Sequence, residues 1–256
     1  MQILQEALAE YSVSSFDVGL LVLCGFIIGA AKAGVKGLGN IVIPVMAIMF
    51  GAKPSTGILL PILIMGDMGA VYYYRKATNW YHLKKLLPAA VIGVLVATWV
   101  GNAISAITFK YLLAILILLS VFLLIIWERN KKNEIPVGST ALGYGIGIAA
   151  GFSTMIGNAA GPITNIYLLM VKLPKNAFIA TAAWFFYFIN IFKVPFHIFF
   201  WKTINWNTLL IDVVAIPGIL VGLFAGIYLV KLMSESFFRW LVIVTTVMAA
   251  FLLLIN

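Results

Sequence analysis

The chain has 256 residues, 63% of them hydrophobic and only 10% charged, with a mean hydropathy of +1.09. A soluble domain of that length needs a wetted, charged surface, which this composition excludes. The formal net charge of +9 does not indicate nucleic acid, because the Lys and Arg residues sit mostly in short breaks between apolar runs.

In chain order, residues 1–17 carry Glu6, Glu10 and Asp17 and no Lys or Arg, the reverse of the basic start of a secretory signal. Ile3, Leu4, Ala7, Leu8 and Tyr11 fall on one helical face, so 1–15 is predicted to lie flat at a membrane interface. Apolar segments then follow at roughly 16–50, 54–74, 86–104, 109–127, 138–171, 176–200, 207–230 and 236–255. About 20 helical residues cross a hydrocarbon core of about 30 Å, so most of these are single crossings. The first and fifth are too long for one straight crossing, and glycine interrupts both. They read GAAKAGVKGLGNIVIP at 29–44 and GFSTMIGNAAGPITNI at 151–166. Each is predicted to be a helix, an irregular turn and a half-length helix. Cys24, the single cysteine, lies in an apolar run and reads as a packing residue; neither a disulfide framework nor a metal cluster is expected.

The two halves repeat one another. Gly25, Gly29, Gly39 and Lys53 match Gly147, Gly151, Gly161 and Lys175 at a common offset. Asn79-Trp80 matches Asn205-Trp206, and Gly93, Ala97, Gly101 match Gly218, Gly222, Gly226, at nearly the same offset. Such internal symmetry is the mark of a duplicated transporter. The predicted units are 1–130 and 131–256. The small-residue stripes read as helix-packing faces, within one chain or in a homodimer. Arg75, Lys76, Lys84 and Lys85 form the densest basic loop, followed by Arg129, Lys131 and Lys132, and both belong inside under the positive-inside rule. Counting Lys172, Lys175, Lys193, Lys202, Lys231 and Arg239 as loop charges favours a fifth segment that dips and returns. The halves are then inverted. The fold expected is an all-α polytopic membrane protein. It has two inverted repeats of about four to five segments, the first segment of each repeat broken.

The breaks carry the candidate site. Asn40 is placed as an N-cap after Gly39, and Pro162 suits the first helical position after Gly161. A helix N-terminus presents unpaired N–H groups, and two of them meeting near the membrane midplane would cradle a small anion. Lys36 sits inside the first break, where a lysine at bilayer depth costs about 2.5–3.5 kcal/mol and needs a partner, either an anionic substrate or Asp67. Lys32, near the end of the first helix, reads as a structural cation on the helix dipole. Asp67 is a candidate for coupling to H⁺ or Na⁺, or for neutralising Lys36. Asn158 occupies the place matching Lys36, and Asn190 lies within a residue of the place matching Asp67. The candidate substrate residues are Lys36, Gly37, Gly39, Asn40, Asn158, Gly161, Thr164, Asn165 and Asn190, with Thr154 and Lys193 able to face the same cavity. Asp212 and His197 are placed near solvated segment ends. Trp80, Trp99, Trp201, Trp206 and Trp240 are placed as interface anchors. No cofactor or metal is expected, and no base–nucleophile set or Walker-type loop is present to suggest an enzyme.

These residues resemble the sulfite exporter TauE/SafE family. The resemblance rests on Gly29, Gly34, Gly37, Gly39 and Pro44 in the first break, GAKPS at 51–55, and Asn79-Trp80. It continues through Gly151, Gly157, Gly161-Pro162 and LPKNAFIATAAWFF at 173–186. The chain departs from the glycine-rich form of the family at Lys36 and at Asn158-Ala159-Ala160. The resemblance implies a multi-pass transporter of small sulfur-containing anions, such as sulfite, sulfoacetate or another organosulfonate, in a bacterial cytoplasmic membrane. Two other readings stay open from the residues: a carrier of a cation or other metabolite that uses Asp67, and a non-transporting scaffold.

Overall fold

The computed structural model describes residues 2–11, 13–35, 38–109 and 140–238 continuously, with isolated positions within 111–122 and 240–244. The described elements are helical: α1 (Gln2–Glu10), α2 (Ser15–Lys32), α3 (Gly39–Phe50), α4 (Ala52–Tyr74), α5 (Trp80–Ala103), α6 (Thr140–Gly157), α7 (Gly161–Met170), α8 (Lys175–Pro195) and α9 (Trp206–Leu232). A short 3₁₀ turn, Arg75–Ala77, extends α4, and a π turn, Phe196–Phe200, extends α8. Five of these units are long and apolar enough to cross a membrane: Ser15–Lys32, Ala52–Ala77, Trp80–Ala103, Lys175–Phe200 and Trp206–Leu232. The apolar segments at 109–127 and 236–255, and the boundary between the units 1–130 and 131–256, lie largely outside the described residues.

Local chemistry sets the helix ends. Ser14 and Asp17 form a capping box on α2. The matched asparagines do the same work in both halves: Asn79 accepts from the His82 N–H at the start of α5, and Asn205 accepts from the Thr208 N–H at the start of α9. The matched lysines are equivalent too. Lys53 donates to the Gly101 carbonyl at 2.7 Å, and Lys175 donates to the Val230 and Met233 carbonyls at 3.0 and 2.5 Å. Each lysine therefore satisfies carbonyls at the C-terminal end of a long helix in its own half, where a cation also suits the dipole.

Packing interlocks the halves. α2 runs beside α9 and α5 beside α6, the two most extensive helix contacts. Gly218 lies on the Val22 carbonyl, Gly222 on Phe26 and Gly226 on Ala30, so α2 and α9 are parallel. Gly147 faces Leu86, and Gly93 faces Ile148 and Phe152, so α5 and α6 are parallel as well. A Cβ at these glycines would run into facing backbone, which is why the matched stripes are glycine. The stripes are used inside one chain. α4 and α8, in contrast, run antiparallel: Gly57 meets Thr203, Asp67 bonds Asn190, and the Asn79 N–H bonds Thr181 just beyond the end of α4.

Burial corrects three sequence expectations. Lys193, counted as a loop charge, is 0% exposed inside α8. His197 and Asp212, placed at solvated segment ends, are 0% and 3% exposed. Trp201 is buried and donates its indole N–H to the Thr98 carbonyl at 3.1 Å, so it is a packing residue rather than an anchor. Trp80, Trp99, Trp206 and Trp240 are exposed, as interface anchors require.

Candidate functional site

Both glycine-rich segments interrupt their helices. α2 stops at Lys32 in a Schellman motif: the Val35 N–H bonds the Ala30 carbonyl at 3.0 Å and the Gly34 N–H bonds Ala31 at 3.3 Å. Gly34 has φ +132°, a conformation that only glycine adopts without strain, and side chains of Ile179 and Val230 occupy the space a Cβ would need. In the second break a left-handed residue, Asn158 at φ +56°, follows the end of α6. Asparagine tolerates that region better than other side-chain-bearing residues.

The chain then re-enters a helix at Gly39 and at Gly161. α3 has Leu38 at its N-cap and α7 has Ala160, and neither of these residues caps its helix through a side chain. Asn40, expected as the N-cap, is instead inside the first turn of α3, because the helix begins two residues earlier. Its side chain lies outside the described residues, as do Lys36 and Gly37 entirely. Pro162 stands in the first turn of α7, where its missing N–H costs nothing.

The two re-entry points face one cavity of about 70 Å³, several times the ~10–15 Å³ that a single water requires. Gly39 and Gly161 line it, with Asn158, Asn165 and Asn190 among the polar walls and Ile43, Leu59, Leu63 and Phe186 among the apolar ones. The structure thus brings together six of the expected residues: Gly39, Thr154, Asn158, Gly161, Asn165 and Asn190. Thr164 is buried in α7 and does not line the cavity; its hydroxyl has no hydrogen-bond partner among the described residues.

Charge at the cavity comes from residues the sequence ranked lower. Lys32 lines it, with Nζ 2.8 Å from Asp67 Oδ1, 2.9 Å from Oδ2 and 4.6 Å from the Phe186 ring centre. Asp67 is 0% exposed and also accepts from Asn190 Nδ2 at 2.9 Å. Lys193 stands behind the second break. It donates to the Thr154 carbonyl (2.9 Å), the Thr154 hydroxyl (3.1 Å) and Asn158 Oδ1 (2.6 Å). Asn158 in turn donates through Nδ2 to the Thr56 carbonyl at 3.0 Å, so its side chain is held from both ends. Three hydrogen bonds are what a buried ammonium needs to sit away from water. Residues 190, 193 and 197 share a helical face, and in the structure all three side chains are buried.

The family model of the sulfite exporter TauE/SafE proteins matches residues 21–253. The chain belongs to that family. No curated protein and no solved structure matches it. TauE/SafE proteins are membrane transporters of sulfur anions such as sulfite, and the apolar helices make this chain a multi-pass membrane protein. Membership of a transporter family also argues against an enzyme. Within the TauE/SafE frame, the cavity is the place where broken helices, lysines and room for a small molecule coincide.

Proposed function

We propose that the chain is a secondary transporter that carries a small sulfur oxyanion or organosulfonate across a bacterial cytoplasmic membrane by alternating access. The anion is held in the cavity between the broken helices. One observation carries this reading: the N-termini of α3 and α7 and the ammonium of Lys32 converge on a single cavity. A helix N-terminus contributes about 0.3–1 kcal/mol to an anion at an exposed site and up to ~2 kcal/mol when partly buried. Two lysines, the half-buried Lys32 and the buried Lys193, stand against one buried carboxylate, Asp67, among the described residues at this place. That balance favours an anion and weighs against a cation carrier built on Asp67. The engagement of Asp67 with Lys32 and Asn190 supports a charge-balancing role for it.

The antiparallel course of α4 and α8 supports inverted halves. A two-fold operation that exchanges two antiparallel membrane-crossing helices has its axis in the membrane plane. Such an axis relates the α2–α9 contact to the α6–α5 contact and places the two breaks as partners. Rocking of one half against the other then exposes the cavity to each side in turn.

Counterflow in liposomes tests this. Purified protein preloaded with sulfite takes up labelled sulfite, and thiosulfate and a sulfonate compete, whereas amino acids and metal cations do not. Uptake equal to that of empty liposomes for the whole anion panel would overturn the proposal.

A further inference from the structure

The structure points to Asp212 as the site that binds a proton coupled to anion movement, an inference that rests on the transport reading above. Asp212 lies in the second turn of α9, roughly 9 Å from the helix start at 1.5 Å per residue. It is 3% exposed, and neither carboxylate oxygen has a hydrogen-bond partner among the described residues. Charged groups on the helices packed against α9 are engaged elsewhere. Glu10 of α1 bonds Asn207, Asp17 of α2 bonds Ser14, Lys32 pairs with Asp67 of α4, and Lys53 of α4 bonds the Gly101 carbonyl. Glu6 is exposed, and Cys24 is a buried thiol. The nearest hydroxyl along α9, that of Thr208 one turn earlier, is bonded to the Asn205 backbone.

An ionised carboxylate in such a place, with neither cation nor donor, costs several kcal/mol. A proton removes that cost with no further ligand. A sodium ion does not, because a hard cation needs several oxygens around it, and the Thr208 hydroxyl one turn away is already engaged with the Asn205 backbone. Asp212 therefore carries a proton in this state.

Losing that proton obliges the carboxylate to reach water, and only opening of the surrounding seam allows it. The seam is mechanically tied to the cavity. Ala215 and Ile219, on the turns after Asp212, lie against Gly25 and Gly29 of α2, which ends at Lys32 in the cavity wall. Leu223 lies against Gly69 of α4, which carries Asp67. The conformation seen here thus binds a proton, and the opened one releases it, so the two conformations differ in proton affinity as coupling demands.

The test uses the full-length protein in liposomes and in infrared spectroscopy. The wild-type protein shows the carbonyl stretch of a protonated carboxyl at neutral pH, and Asp212→Asn loses it. The same variant loses sulfite accumulation driven by a pH gradient and keeps sulfite exchange counterflow. A band unchanged by Asp212→Asn, pH-driven accumulation retained in that variant, or wild-type accumulation that follows a sodium gradient alone would overturn the assignment. If Asp212→Asn does not reconstitute, Asp212→Glu serves: a shifted band supports the assignment and an unshifted one overturns it. A wild-type protein with the band but without sulfite counterflow keeps the proton site and removes the anion reading.

Discussion

Replacing Lys32 with Met separates the two roles that this residue can play. Its Nζ lies 2.8 and 2.9 Å from the two oxygens of a carboxylate that is 0% exposed. Taking the cation from a buried pair costs about 3–5 kcal/mol, because the remaining charge stays in a low-dielectric site. Removing both charges, in Lys32→Met with Asp67→Asn, leaves no stranded carboxylate, and stability returns to within about 1–2 kcal/mol of the wild type. Anion binding behaves differently. A charge-assisted hydrogen bond contributes about 1.5–3 kcal/mol, so both the single and the double variant bind sulfite about 10- to 150-fold more weakly. Thermal unfolding followed by tryptophan fluorescence reads the first quantity, and titration of sulfite into the same detergent-solubilised samples reads the second. If the double variant binds sulfite as tightly as the wild type, Lys32 is a structural partner of Asp67 and does not touch the anion. If single and double variants are equally unstable, the stranded-charge argument is wrong.

Three further outcomes are expected. Asn158→Ala is less stable than Asn158→Gly by about 1–2 kcal/mol, because both lose the side chain and only alanine resents φ +56°; denaturation midpoints of the pair check this. Lys193→Met weakens sulfite binding although Lys193 lies behind the cavity wall, since it frees Asn158 Oδ1 and the Thr154 hydroxyl, while the Thr154 carbonyl keeps the Asn158 N–H. Each stranded acceptor costs about 1–3 kcal/mol, partly offset by no longer burying a cation, and calorimetric titration with sulfite against the wild type reads the result. Gly151→Val, whose side chain would enter the Ala90 backbone, destabilises by about 1–3 kcal/mol or more, whereas Gly145→Ala, with open space around it, gains about 0.5–1 kcal/mol; melting temperatures of the two proteins decide.

Sequence by itself determined the solvent, the helical class and the two interruptions. Apolar runs of crossing length have no other stable home than lipid, and the glycines at 34, 157 and 161 weaken a continuous helix whatever surrounds them. Repetition across the halves was also legible, because Lys53 and Lys175, Asn79 and Asn205, and the glycine stripes recur at nearly one offset and perform matching local tasks. Partner choice was not legible. Asp67 pairs with Lys32, a lysine that the sequence ranked as structural because it closes a helix, and nothing in chain order says which of several nearby lysines lies on the facing side of a neighbouring helix. Nor does a linear pattern reveal that Lys193, His197 and Asp212 are buried, since residues near the end of an apolar run look solvated until other helices extend over them. Depth and contact belong to the way α2, α4, α8 and α9 stack against one another. A charge is silent about its surroundings until those surroundings are packed around it.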